Sequence, residues 1–85
     1  MLTITHAEHR GEYRIWLEFS DGSSGTADLG GDLWGPVFEP LKDVEAFKRF
    51  RVSETLHTIV WENEADFAPE FLKQRIVAEA LQPVS

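Results

Sequence analysis

The sequence has no cysteine and no long apolar run. Zero Cys among 85 residues excludes a disulfide framework, a thiolate nucleophile and any cysteine-based zinc site. No apolar stretch approaches the roughly 18 residues that suggest a membrane-spanning helix, and residues 1–6 lack the basic and apolar regions of a signal peptide. We therefore expect a soluble, cytoplasmic protein that does not contact membranes.

Basic residues are also scarce. Eight Lys and Arg stand against 15 Asp and Glu, which gives a formal net charge of −7. This charge repels phosphate backbones and anionic lipid surfaces. The small cationic group of Lys48, Arg49 and Arg51 has too few charges for a phosphate-binding patch. The sequence predicts no direct contact with nucleic acid.

Apolar and aromatic residues are plentiful. The chain is 42% hydrophobic and contains three Trp, one Tyr and six Phe, which is far too apolar for a disordered tail. At this length the residues form a single domain, 1–85, near the lower limit for folding without metals or disulfides.

The clearest periodic pattern lies between residues 13 and 19. Tyr13, Ile15, Leu17 and Phe19 alternate with Arg14, Trp16 and Glu18, as in a strand with one buried face. Residues 20–25, Ser-Asp-Gly-Ser-Ser-Gly, predict a reversal. In an earlier alternation, Leu2, Ile4 and His6 share one face of a first strand, and residues 8–12 predict a solvated turn after it. Residues 26–29, Thr-Ala-Asp-Leu, predict a short third strand, which completes a three-stranded antiparallel meander.

The second half predicts helices, loops and one further strand. Residues 30–36 read as the main loop with one turn at Leu33 and Trp34, and the prolines at 36 and 40 favour an extended connector. Asp43 is a candidate cap for a two-turn helix whose apolar stripe is Val44, Phe47 and Phe50. Residues 55–61 alternate like a strand.

The last predicted element is a helix that begins at Pro69, with Phe67 positioned to pack against Leu72. Its predicted apolar face is Leu72, Ile76, Val77, Ala80 and Leu81, and Pro83 ends it. The whole order predicts an α+β domain: an N-terminal three-stranded antiparallel β-meander, a short helix, a further strand and a C-terminal helix packed on the sheet.

Titratable groups do not form a recognisable catalytic or metal-binding pattern. His6 and His9 are three apart, which places them on opposite faces of a strand, and His57 stands alone. The acidic turn from Glu62 to Asp66 lacks the glycine and the final glutamate of a calcium loop. We predict no catalytic residue, no metal site and no cofactor.

Two tryptophans and a phenylalanine are the candidate interface residues. Trp16 lies on the polar face of the central strand, and Trp34 and Phe38 lie in the glycine-rich loop region. Tryptophan is frequent at protein interfaces because its rigid ring buries a large area at little entropic cost. The alternative is that the connector covers Trp16 and that Trp34 closes the end of the core. Trp61 is predicted to be a core residue.

The sequence also resembles a known family. The matching residues fall in the segments 19–22, 28–29, 35–43, 58–61 and 69–70, with Phe47, Val52, Asn63 and Asp66. As a set, they resemble the short bacterial proteins grouped as domain of unknown function 2442. The resemblance implies a small α+β domain that opens with a β-meander, occurs alone or before a helix-turn-helix domain, and is often encoded in toxin-antitoxin-like pairs. About 15 residues follow Glu70, too few for that additional domain.

Three functional hypotheses follow. The first is a non-enzymatic protein-interaction module, a homodimer or one half of a two-protein system with a small partner, in an antitoxin-like or regulatory role. The second is a small-ligand sensor that uses the Gly30 to Phe38 loop as a lid. The third is a small enzyme, which would require convergent titratable groups. The first predicts that Trp34→Ala or Trp16→Glu weakens association without unfolding the chain.

Overall fold

The computed structural model describes residues 1–76. Three strands open the chain, β1 (Ile4–His9), β2 (Arg14–Phe19) and β3 (Ser24–Asp28), and they form an antiparallel sheet in the order β1-β2-β3. The predicted meander is confirmed. Its third strand begins two residues earlier than expected, and β1 continues through His9, where the sequence predicted a turn.

The central strand divides buried from exposed residues as its alternation predicts. Ile15, Leu17 and Phe19 are at most 1% exposed, while Arg14 and Glu18 face solvent. The face predicted for β1 is wrong at one position. A bulge between Ile4 and His6 shifts the register, so Ile4 is buried and His6 lies on the opposite, exposed face.

The middle of the chain is more helical and less extended than the sequence predicted. A 3₁₀ turn at Gly30–Asp32 precedes the expected position at Leu33, and a second at Glu39–Lys42 replaces the extended connector. Pro40 lies at the start of the second turn, where its missing N–H costs nothing. Leu33 and Leu41 are buried on either side of the intervening loop.

The helix at residue 44 is shorter than predicted. It spans a single turn, α1 (Val44–Phe47), and Asp43 caps it by accepting a hydrogen bond from the Glu45 backbone N–H at 3.1 Å. The predicted second turn is wrong because the chain leaves the helix after Lys48 and enters a strand. Phe50 still packs on Trp61, with ring centroids 6.2 Å apart.

The single strand predicted at residues 55–61 is a two-stranded hairpin. Strand β4 (Arg51–Ser53) pairs antiparallel with β5 (Thr58–Val60), and residues 54–57 form the turn. His57 has a left-handed backbone, φ +62°, which no strand residue adopts. The pairing of Val52 with Ile59 therefore replaces both the second helical turn and the first half of the predicted strand.

The C-terminal helix is α2 (Pro69–Gln74), which begins at Pro69 as predicted, and Ala68 supplies no side-chain cap. Leu72 is fully buried in the core cluster. Ile76 is not helical: it forms an isolated antiparallel bridge to Ala27 of β3. The predicted apolar positions Val77, Ala80 and Leu81, and the stop at Pro83, lie outside the described residues.

A salt bridge ties α2 to the first sheet. Lys73 Nζ lies 2.6 Å from an Asp21 carboxylate oxygen in the turn between β2 and β3. The Ser23 backbone N–H and hydroxyl also donate to that carboxylate. The hydrogen bond from Lys73, followed by those from Ser23, holds the pKa of Asp21 well below its ordinary value. The α+β architecture, with the helix on the sheet, is confirmed.

Trp61 occupies the centre of the core. It is 2% exposed, contacts the rings of Phe47, Phe50 and Phe67, and donates from Nε1 to the Phe47 carbonyl oxygen at 2.6 Å. The prediction of a core residue is confirmed. No helix in the described part of the chain is long and apolar enough to cross a membrane.

Candidate functional site

A short apolar loop projects from the surface between Leu33 and Leu41. We call residues 34–38 the Trp34 loop; its sequence is Trp-Gly-Pro-Val-Phe. Gly35 adopts φ +92°, a conformation that side-chain-bearing residues rarely tolerate. The Gly35 carbonyl oxygen accepts hydrogen bonds from the backbone N–H groups of Phe38 and Glu39 at 3.2 and 2.8 Å. The loop is therefore a defined turn.

Contacts from the rest of the chain hold the Trp34 loop in place. Asn63 Nδ2 donates to the Val37 carbonyl oxygen at 2.9 Å, while Asn63 Oδ1 accepts from the Ala65 backbone N–H at 3.2 Å. Nothing in the sequence indicated the bond to Val37, which lies 26 positions away. Phe38 stacks on Phe67, with ring centroids 4.6 Å apart. These contacts hold the loop in one position, and the loop could move as a lid only by breaking them.

The outer side of this loop is apolar and exposed. Trp34 is 72% exposed and Val37 is 49% exposed. Elsewhere among residues 1–76, the exposed large hydrophobic residues are Met1 at the chain start and Leu56 in the β4–β5 turn. The Trp34 loop thus concentrates exposed apolar area in one place, which is characteristic of a binding surface.

A stack of planar groups continues from the loop to α2. The rings of Phe38 and Phe67 are stacked, those of Phe67 and Phe71 are stacked at 5.1 Å, and the Arg75 guanidinium lies 4.6 Å from the Phe71 centroid. The positions 67, 71 and 75 follow a spacing of four, although Phe67 precedes the helix and Arg75 follows it. Only Phe67 belongs fully to the core.

These groups line an open groove of about 600 Å³. Its lining residues are Asp32, Trp34, Phe38, Asp66, Phe67, Ala68, Phe71 and Arg75. Arg75 forms two hydrogen bonds to Asp32, at 3.0 and 3.1 Å, so each neutralises the other's charge. Asp66 is exposed. We call this feature the Trp34 groove.

The structure separates the three candidate interface residues. Trp34 and Phe38 share the Trp34 groove, but Trp16 does not line it. Trp16 is half-buried on the outer face of the sheet, with the His6 ring 5.8 Å away in an edge-on geometry and the Arg10 guanidinium 5.6 Å from its centroid. Cross-strand neighbours, not the connector, cover this tryptophan.

Other groove residues escaped prediction from the sequence. For Phe67 the sequence predicts only packing against Leu72, and it predicts no role for Phe71 or Arg75. Their spacing of four was the available signal, because side chains four apart lie on one helical face. Nothing in the sequence indicated that Asp32 would pair with Arg75, 43 positions away.

The histidines His6 and His9 and the carboxylates of Asp28 and Asp32 each have a separate hydrogen-bond partner. His6 contacts Glu8 at 2.8 Å, and His9 bonds the Glu12 carbonyl oxygen at 2.9 Å. Asp28 accepts from the Gly30 backbone N–H, whereas Asp32 pairs with Arg75. Across residues 1–76, no three His, Cys, Asp or Glu side chains converge in a way that could hold a metal ion.

Comparisons with known proteins agree with this architecture. A family model described as "Protein of unknown function (DUF2442)" matches residues 4–78. A crystal structure of a Nitrosomonas europaea protein named "Putative DNA Binding Protein" superposes with a TM-score of 0.77 at 25% sequence identity. The match covers 96% of this chain but only 53% of that protein, so this chain spans about half the neighbour's length. No curated protein matches.

Proposed function

The chain belongs to the DUF2442 family, and on this premise we propose that it is a non-enzymatic protein-interaction module that binds a partner protein through the Trp34 groove. The observation that carries the proposal is the 72% exposure of Trp34 on a turn fixed by Asn63 and Phe38. An exposed tryptophan on a fixed turn beside an aromatic wall is the type of residue that contributes most to binding free energy. Because the loop is already ordered, little entropy is lost on association.

The biological role that we propose is the regulatory or antitoxin-like half of a two-protein system. The toxin-antitoxin-like gene pairing that the family resemblance implies supports this role. A homodimer through the same groove is the alternative assembly. The carboxylates of Asp28 and Asp32 favour the non-enzymatic proposal, because Asp28 bonds to the Gly30 backbone N–H and Asp32 pairs with Arg75 from a distant part of the chain.

We propose that the chain does not contact DNA directly. The formal charge of −7 opposes the counterion release that drives binding to phosphate. The Nitrosomonas europaea neighbour is almost twice as long as the matched part, so its name does not assign DNA binding to this half. Fluorescence anisotropy with a labelled duplex should show no saturable binding at physiological salt.

The experiment that tests the interaction proposal is affinity capture of the tagged chain from its native host, with Trp34→Ala compared with wild type. Leu56→Ala is the matched control, because Leu56 is 51% exposed in a turn outside the Trp34 groove. We expect a stoichiometric partner that Trp34→Ala loses and Leu56→Ala retains. Equal recovery with all three baits would contradict the proposal.

A small-ligand sensor is the second candidate function. The groove volume of about 600 Å³ lies within the range that small-molecule sites occupy, and its wall combines aromatic rings with the Asp32–Arg75 pair. A thermal-shift screen of metabolites tests it, since a ligand that binds only the folded state raises Tm. If no compound in the screen raises Tm, that result would argue against this function.

A further inference from the structure

The Trp34 groove contains one pair of opposite charges and one carboxylate without an ion-pair partner among residues 1–76. Arg75 is held by two hydrogen bonds to Asp32 and by stacking on Phe71, so these two opposite charges compensate each other within the groove. Asp66 is exposed, and none of the Lys, Arg or His side chains in residues 1–76 forms an ion pair with it. The groove therefore presents one uncompensated negative charge beside apolar walls.

The chain itself offers little to complement this charge. Residues 77–85, Val-Ala-Glu-Ala-Leu-Gln-Pro-Val-Ser, contain no Lys, Arg or His and add one Glu. A second copy brings another formal charge of −7, and two like-charged surfaces repel at short range. Electrostatic complementarity thus favours a partner that is basic where this chain is acidic.

The exposed ring of Trp34 adds a second requirement. Tryptophan is the best aromatic acceptor for a guanidinium or ammonium group, which lies over the ring face. The structure already contains this geometry at Arg75 over Phe71 and at Arg10 over Trp16. By contrast, Trp34 has no cation over its ring among the described residues.

We propose that the Trp34 groove receives a basic, apolar segment of a partner protein. An Arg or Lys side chain of this segment lies against Trp34 and pairs with Asp66, while its apolar residues contact Val37, Phe38 and Phe71. This inference depends on the proposed interaction function and specifies the chemistry of the partner.

The test uses a designed peptide as the probe. It has about 14 residues, roughly four helical turns, with leucine on one face and arginine on the other. Its counterpart carries glutamate at every arginine position. Both are titrated into the full-length chain at physiological ionic strength while backbone amide chemical shifts are recorded. We expect the arginine peptide to shift residues 34–38 and 66–71, and the glutamate peptide to leave them unchanged.

Two substitutions that each remove one negative charge, inside and outside the groove, distinguish binding in the groove from general electrostatic attraction between the peptide and the acidic chain. Asp66→Asn is expected to weaken binding of the arginine peptide by about fivefold, which is the upper range for an exposed ion pair. Glu18→Gln lies on the outer face of the sheet and should have no effect. Trp34→Ala should weaken binding by about tenfold or more. Equal effects of Asp66→Asn and Glu18→Gln would overturn the inference.

If a different molecule or segment occupies the groove, the experiments give distinct results, and each of these would also overturn the inference of a basic partner segment. A second copy would appear as a dimer by light scattering that Trp34→Ala dissociates. The chain's own C-terminal residues would give nuclear Overhauser contacts between the Trp34 indole and residues 77–85 in the free chain. If the arginine peptide fails while Trp34→Ala still abolishes capture of the native partner, only the partner chemistry is wrong. Capture that is insensitive to Trp34→Ala would reject the interaction proposal itself.

Discussion

The two tryptophans that break the pattern of buried positions have different environments. Trp16, in the middle of β2, is half-buried, with His6 and Arg10 against its ring. Trp34, in a loop, is 72% exposed beside an apolar groove. A strand places neighbours on both sides of each residue, so an outward-facing ring finds local partners. Trp34 has no cross-strand neighbours in its loop, and most of its ring stays exposed.

Substitution of the buried tryptophan, Trp61, is expected to cause the largest loss of stability among the three tryptophans. Trp61→Ala removes a ring that is 2% exposed and leaves the Phe47 carbonyl oxygen without its donor. We expect a loss of about 3–5 kcal/mol in the free energy of unfolding, measured by urea denaturation. Trp61→Phe keeps most of the packing and should cost about 1–3 kcal/mol through the lost hydrogen bond. A loss below about 1 kcal/mol for Trp61→Ala would contradict the assignment of this residue to the core.

Trp16→Glu sharpens the contrast between the two surface tryptophans. The new carboxylate would lie opposite Glu8, and the contacts of the indole ring with His6 and Arg10 would be lost. We expect the free energy of unfolding to fall by about 1 kcal/mol, with partner capture unchanged. The sequence pattern alone predicts weaker association for this variant. Reduced capture by the folded variant would therefore make the outer sheet face part of the interface.

The smallest expected effect concerns the attachment of α2, whose residue Phe71 lines the Trp34 groove. The pKa of Asp21 is lowered in the folded chain by Lys73 and Ser23, so its stabilising contribution is present above the unfolded pKa of about 4 and is lost as pH falls below it. We expect Asp21→Asn to lower Tm at neutral pH, and the gap from wild type to close in acid. A gap that stays constant from pH 7 into acid would contradict this linkage.

The sheet was predictable because its signal is local. Alternation at residues 13–19 identifies β2 and its buried face, and Asp21 with Gly22 marks the reversal. The errors in the middle of the chain have a different origin. The spacing of Val44, Phe47 and Phe50 fits a helix, yet the pairing of Val52 with Ile59 is a tertiary contact that ends the helix early. Local preference is a weak guide where such pairing competes.

The Trp34 groove was only half predictable for the same reason. Trp34 and Phe38 stand out in the sequence because no core periodicity requires them. Phe71 and Arg75 joined the groove through the Phe67 stack and the Asp32 pair, which connect residues distant in the chain. The sequence also grouped Trp16 with Trp34, since it does not show which ring finds cross-strand partners.

Hydrogen–deuterium exchange of the chain, free and bound to the partner captured from its native host, tests the central claim most directly. The proposed interface predicts that binding slows exchange at residues 34–38 and 66–71, while amides around Trp16 in β2 exchange at unchanged rates. Slowed exchange confined to β1 and β2, with no change at the Trp34 loop, would place the interface on the outer sheet face and contradict the account.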